Sequence, residues 1–310
     1  MNKEVYKSLT LVLIAGSIIL FTSGCRSVYE RLLVEQRLST MIIKDNETTD
    51  GTRTLYGVSS KGLLYDEDII MNVRNRISQP STTRPRKLFR RTRKDSSQYG
   101  QSTYVDKLLF GRRNGFFVEC GAADGETISN SLFFELQRNW TGILIEVNAG
   151  LHHKLLQKNR RAYVLKACLS PERRPVKTVL RSAGFHSGII DKMYKFPVSI
   201  IGRRRTFVEN CFPLNTIMAA LTVSQVDYFS LDVEGAELDI LRTIDWSRLH
   251  IDVMTVEYRI YKNRKIDETA TLQKLNALRD FFFDTGIYRE MAIFPSGNET
   301  NGVDVVFSRV

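Results

Sequence analysis

From Tyr104 onward, short apolar runs alternate with helical patterns, and this alternation constrains the fold more than any other feature of the chain. "GFFVEC", "GILIEV", "AYVLKAC", "VDYFSLDV" and "IDVMTVEY" are short, rich in β-branched and aromatic residues, and charged only near their ends. Such runs read as strands buried on both faces. Between them, "TISNSLFFELQRN", "NAGLHHKLLQKN" and "GAELDILRTID" read as amphipathic helices. Parallel neighbours need a crossover long enough to hold a helix, so this order predicts βαβ units. The expected fold is α/β and Rossmann-like: a mostly parallel sheet with helices on both faces. "ETATLQKLNALRDFFFDTG" adds a long helix. "IYREMAIF" and "GVDVVFSRV", joined by the turn-rich "PSGNETNG", are expected to close the sheet as a strand pair. Residues 171–213 are basic, contain Pro and Gly, and break the rhythm; they read as an insertion near the site.

The chain before this domain differs in texture. Ser8 to Cys25 carries no charge over 18 residues, enough for a helix of about 27 Å at the lower end for a bilayer span. Residues 1–25 are therefore expected to be a short tip and membrane anchor. The rival is a cleaved signal peptide, because "FTSGC" ends in small residues. Residues 26–103 read as a polar, basic stem. The formal charge is +11, and residues 69–94 hold nine Lys or Arg with no acid, so the remainder is close to neutral. A solvated, self-repelling linker explains that run, and no aromatics interleave with its charges as in a single-strand binder; nucleic acid is not an expected partner. Cys25, Cys120, Cys168 and Cys211 show no paired spacing, so zinc is not expected. With Cys25 set apart, three cysteines remain in the body, and an odd number argues against a disulfide framework.

In an open parallel sheet, ligands bind outside the carboxyl ends of the strands. The informative residues therefore follow each apolar run. After the first come Glu119, Gly121, Ala123, Asp124 and Gly125. Glycines there permit a tight turn and close backbone approach, but two carboxylates would repel a dinucleotide pyrophosphate. They suit a cationic, amino-acid-bearing ligand, which points to S-adenosylmethionine. Glu146 ends the second run, 25 residues after Gly121, where an acid can accept both ribose hydroxyls of an adenosine. Asp232 and Glu234 follow the fourth run and Glu257 the fifth. An acid thus stands after four of five strands, and four on one edge describe a site. Asp232, Glu234 and His186 from "AGFHSGII" are the candidates to take a proton from an acceptor hydroxyl. No metal ligand set is expected.

"FVECGAADGETISNS", "LIEVN" and above all "LDVEGAELDIL" followed by "VEY" resemble the FkbM-type methyltransferase family over residues 104–310. The resemblance implies a class I S-adenosylmethionine-dependent fold, a seven-stranded sheet and O-methylation of sugars or small molecules. Glu119, Gly121, Asp124 and Glu146 match its cofactor-binding positions, and Asp232 and Glu234 its fourth motif. Ser230 departs from the Lys that many members carry there. "FVECGAADGE", "NCFPLNTIM" and the anchor together also resemble the animal subgroup that includes the insect protein Star. That subgroup implies the alternative of a non-catalytic escort for membrane-protein cargo through the endoplasmic reticulum, Golgi and endosomes. The expected placement is single-pass type II with the domain lumenal. "NET" at Asn46 and at Asn298 are glycosylation acceptors in loop-like contexts, whereas "NWT" at Asn139, between a helix and a strand, is expected to be occluded.

Overall fold

The computed structural model describes residues 10–14, 17–21, 63–89, 95–183, 186–189, 205–262, 265–296 and 299–310; at 10–14, 17–21, 182–183, 186 and 205 it describes the backbone alone. The chain divides into two compact units, Met1–Gly57 and Val58–Val310. In the first, β1 (Thr10–Ile14) pairs antiparallel with β2 (Ser17–Phe21). These strands lie within the charge-free stretch for which the sequence predicts one helix; the rest of that stretch is outside the described residues. No helix among the described residues is long and apolar enough to cross a membrane.

The second unit begins earlier than its sequence texture suggests. Helix α1 (Glu67–Arg76) is capped by Asp66, whose carboxylate accepts the amides of Asp68 and Ile69. Its Ile69, Ile70 and Val73 sit in the main hydrophobic core. Beyond it, Ser78 exchanges backbone hydrogen bonds with Val164 and so blunts an edge of the sheet. Helix α2 (Gln101–Leu108) also buries one face. The described part of the expected stem, residues 63–89 and 95–103, therefore packs as part of the domain. Ile69, Ile70, Val73 and Ile77 carry that packing, and the surrounding charge conceals them in the sequence.

The expected alternation follows. Strand β3 (Phe116–Cys120), α3 (Leu132–Gln137), β4 (Thr141–Ile145), α4 (Ala149–Gln157) and β5 (Tyr163–Leu165) form the first half. An inserted region supplies β6 (Cys168–Leu169), β7 (Val176–Ala183), β8 (His186–Ile189) and β9 (Arg205–Phe212). Then come α5 (Leu214–Ala220), β10 (Gln225–Leu231), α6 (Glu237–Thr243), β11 (His250–Glu257), the short pair β12 (Tyr261–Lys262) and β13 (Lys265–Ile266), α7 (Glu268–Thr285), β14 (Tyr288–Phe294) and β15 (Asp304–Arg309). The main sheet has seven strands in the order β14-β15-β11-β10-β3-β4-β5. Five are parallel, and β15 and β14 close it antiparallel. Strand order reverses between β3 and β10, which opens a crevice at their carboxyl ends.

Alternating side chains of the central strands feed two cores. Val118, Ile143 and Ile145 face the larger one; Phe117 and Leu144 face the other with Phe134, Trp140 and Tyr228. Phe134 stacks on Trp140 at 4.5 Å between ring centroids. The inserted region forms its own four-stranded sheet, β6-β9-β7-β8. There the cysteine expectation is overturned. Strands β6 and β9 pair in parallel with Cys168 opposite Cys211, and the two form a disulfide. Their sequence separation is 43, so no spacing motif announces the pair. Cys120 stays free and buried.

One buried ion pair fastens the first half. Arg160 and Glu135, both with fully buried side chains, meet at 2.6 Å. Glu135 also accepts from Arg86 and from the Arg161 amide. The Arg160 guanidinium further donates to the Gly125 carbonyl and to Ser131 Oγ, which ties the turn after β3 to the strand–helix layer. Removing one partner leaves the other charged and buried. Arg160→Leu is therefore expected to lower stability by about 3–5 kcal/mol, read as a reduced urea midpoint.

Candidate functional site

The turn after β3 is shaped by backbone conformation. Gly121, Ala123 and Gly125 all adopt positive φ, at 81°, 49° and 76°. Asp124 closes the loop on itself: its carboxylate accepts the amides of Glu126 (3.0 Å) and Thr127 (2.7 Å) and the Thr127 hydroxyl (2.9 Å). Partial burial would raise its pKa, but these donors hold it below the ordinary carboxylate value. The buried Lys158–Glu126 pair, at 2.6 Å, pins the next residues.

Glu146, just past β4, turns back onto this loop. Its Oε2 accepts the Ala123 amide at 2.8 Å and its Oε1 the Asn148 amide at 2.6 Å. It is only 4% exposed. Burial pushes its pKa up to about 7, and the Asn148, Ala123 and Val147 amides offset part of that rise. A carboxylate has room for about four hydrogen bonds, so these amides leave acceptor capacity on Glu146.

The facing wall comes from β10 and β11. Parallel pairing brings Asp232 beside Glu257, one step beyond the Leu231–Val256 register. Asp232, Glu234 and Glu257 are half-buried and offer carboxylate oxygens within 4.8 Å of one another, a grouping able to accept a divalent cation. Desolvation and then the neighbouring Glu234, Asp304 and Glu237 push Asp232 well above the ordinary carboxylate range; desolvation, Asp232 and Glu234 do the same to Glu257. Side by side on neighbouring strands, each of these carboxyls is held toward its neutral form by burial and by the acids around it. Glu234 sits at φ 61°, a left-handed conformation unusual for a side-chain-bearing residue. Glu237 braces this turn. It accepts the amides of Val233 and Gly235 at 3.1 Å and pairs with Lys274 at 2.7 Å.

One cavity is lined by Glu119, Gly121, Ala123 and Glu146 on one side and by Asp232, Glu234 and Glu257 on the other. Asp124 and Gly125 form the loop without lining the cavity. Glu119 lines it, yet its carboxylate is already engaged by Ser129 Oγ (2.9 Å), the Asn130 amide (2.7 Å) and Ser131 Oγ. His186 begins β8, and its side chain lies outside the described residues; the adjacent Ser187, Gly188 and Ile189 line the cavity. The insertion thus forms part of the wall. Sequence reasoning missed Asn130, Gln98, Arg259 and Tyr261, which also line it. Asn130 donates to Ser230 Oγ at 3.0 Å, and "ISNS" following the glycine turn is the one signal that could have raised it.

This strand order, with the acidic edge at its reversal point, defines a Rossmann-like methyltransferase fold. The family described as "Methyltransferase FkbM domain" matches residues 119–285, more than half of the chain, and the chain belongs to that family. No curated protein matches the sequence. Among solved structures, the chain is similar to a TehB-like SAM-dependent methyltransferase from Corynebacterium glutamicum at 12% identity, covering 68% of this chain and 88% of that one, with a TM-score of 0.36. It is similar to the METTL16 methyltransferase domain at 10% identity, covering 67% and 65%, with the same TM-score.

Glu146 allows a pH test. Its folded pKa lies above the unfolded value, so its contribution to stability is fully present below about 4.5 and is lost as pH rises through about 7. A hydroxyl donor prefers the ionised carboxylate. The affinity of S-adenosylhomocysteine is therefore expected to rise as pH increases from 5.5 to 8, with protons released on binding; Glu146→Gln should flatten that dependence in calorimetry.

Proposed function

We propose that this chain is an S-adenosylmethionine-dependent O-methyltransferase acting on a hydroxyl of a sugar or small molecule. The observation that carries this reading is Glu146: a buried carboxylate with spare acceptor capacity, held by the glycine-turn amide, facing the Asp232–Glu257 pair across one cavity. Its acceptor oxygens fit the ribose hydroxyls of an adenosine, and the positive-φ backbone around Gly121 lets a ligand approach the main chain. Bound there, the cofactor would supply an electrophilic methyl group. The chain's own residues do the rest. The cavity wall positions the acceptor, which accounts for much of the rate in transfers of this kind. Asp232, paired with Glu257, takes the hydroxyl proton. Incubating the full chain with methyl-labelled cofactor and a panel of polyhydroxylated acceptors tests this: a labelled, base-stable ether product supports it. A cofactor-binding protein that labels no oxygen in any acceptor would overturn it.

We further infer a membrane-anchored, type II placement with the domain in the lumen of the secretory pathway. Support comes from the charge-free residues 8–25 and from the Cys168–Cys211 disulfide, since disulfides persist in oxidising compartments. Protease added to sealed microsomes should leave the domain intact; digestion without detergent would reverse the orientation.

A further inference from the structure

The "NWT" triplet lies in the tight turn between α3 and β4. Contrary to expectation it is not occluded: Asn139 is exposed, at φ 58°, while Trp140 is buried beneath it. Its Nδ2 donates to Asn114 Oδ1 at 2.7 Å, and the Asn114 amide donates to the Arg138 carbonyl at 3.0 Å. The two turns 110–114 and 138–140 therefore lie side by side. The first of them carries Phe110, 97% exposed and at φ 53°. The ring is thus open to solvent on the turn that adjoins the sequon, where it presents an apolar face.

We propose that Asn139 carries an N-linked glycan and that Phe110 gives its first sugar an apolar surface to pack on. This rests on the lumenal placement proposed above. The chemistry is that of the sequon. Asn139 Nδ2 forms a bond to the anomeric carbon of a lipid-diphosphate-linked oligosaccharide; the bond from that carbon to the diphosphate breaks, the diphosphate leaves, and one amide proton passes to the transferase. The second amide proton remains for Asn114. The turn precedes β4, at the sheet edge opposite the cavity, so a glycan there leaves the site open.

The test uses the full chain made in insect cells, with glycosidase treatment in heavy-oxygen water and peptide mass spectrometry. Asn139 should be recovered as labelled Asp; Thr141→Ser should keep the modification, and Thr141→Val and Asn139→Gln should lose it. Trimming the glycan should lower Tm by about 2–4 °C in the wild type, the shift expected per kcal/mol in a domain of this size, and by less than half as much in Phe110→Ala. An unmodified Asn139 beside an occupied Asn46 or Asn298 overturns the inference while the lumenal placement stands. Three unmodified sites overturn both. Equal Tm losses in wild type and Phe110→Ala overturn the role of Phe110.

Discussion

Gly121→Val should lower the affinity for S-adenosylhomocysteine by about 100-fold or more, or roughly 3 kcal/mol, while near-UV circular dichroism still reports a folded domain. The reason is local. A Cβ built on Gly121 would lie 2.1 Å from the carbonyl oxygen of Asp232, which is backbone and cannot swing aside. The residue also sits at φ 81°, where any L side chain adds strain. Relief requires the β3 turn to separate from the β10 turn. That movement draws the Ala123 amide off Glu146 and opens the cavity between its two walls. A calorimetric titration comparing Gly121→Val with wild type reads the effect, and undiminished affinity would show that no ligand depends on this close approach.

Asp232→Asn should act differently. Turnover is expected to fall by about 10²–10⁴-fold, the usual consequence of losing a positioned base, with cofactor affinity nearly unchanged because the proposed adenosine contacts come from Glu146 and the glycine turn. Thermal stability should hold or rise, since the substitution removes an ionisable group whose charge burial and the neighbouring Glu234, Asp304 and Glu237 already disfavour. In the wild type, kcat should increase as pH rises through the elevated range of the neighbouring Asp232 and Glu257, because the base must first lose its proton; the apparent value belongs to the two together and not to either residue. Loss of affinity without loss of turnover in Asp232→Asn would assign this carboxylate to binding instead.

Much of the fold was legible because parallel strands buried on both faces are nearly continuous apolar runs. "GFFVEC" and "GILIEV" fall on β3 and β4, and "GVDVVFSRV" on the closing β15. The acids at the strand ends were legible for the same reason: a charge ending such a run has to be accounted for. What escaped notice depends on contacts distant in sequence. The apolar face of α1 is short and sits among basic residues, so its packing shows only once the core is assembled. The Cys168–Cys211 pairing is set by how the insertion folds back, and a sequence separation of 43 conceals it. The roles within the glycine turn were also blurred. "ECGAADG" shows which residues are present, but not that Glu119 is engaged by the Ser129–Ser131 segment while Glu146 keeps acceptor capacity.

The proposed chemistry requires that this cavity hold the cofactor. Isothermal calorimetry of the full-length chain with S-adenosylhomocysteine measures that directly. The expected result is saturable one-to-one binding in the micromolar range, about −8 kcal/mol, weakened by about 1–3 kcal/mol in Glu146→Ala through loss of hydrogen bonds to a charged group. A folded protein that gives neither heat nor a thermal shift at millimolar ligand would contradict it.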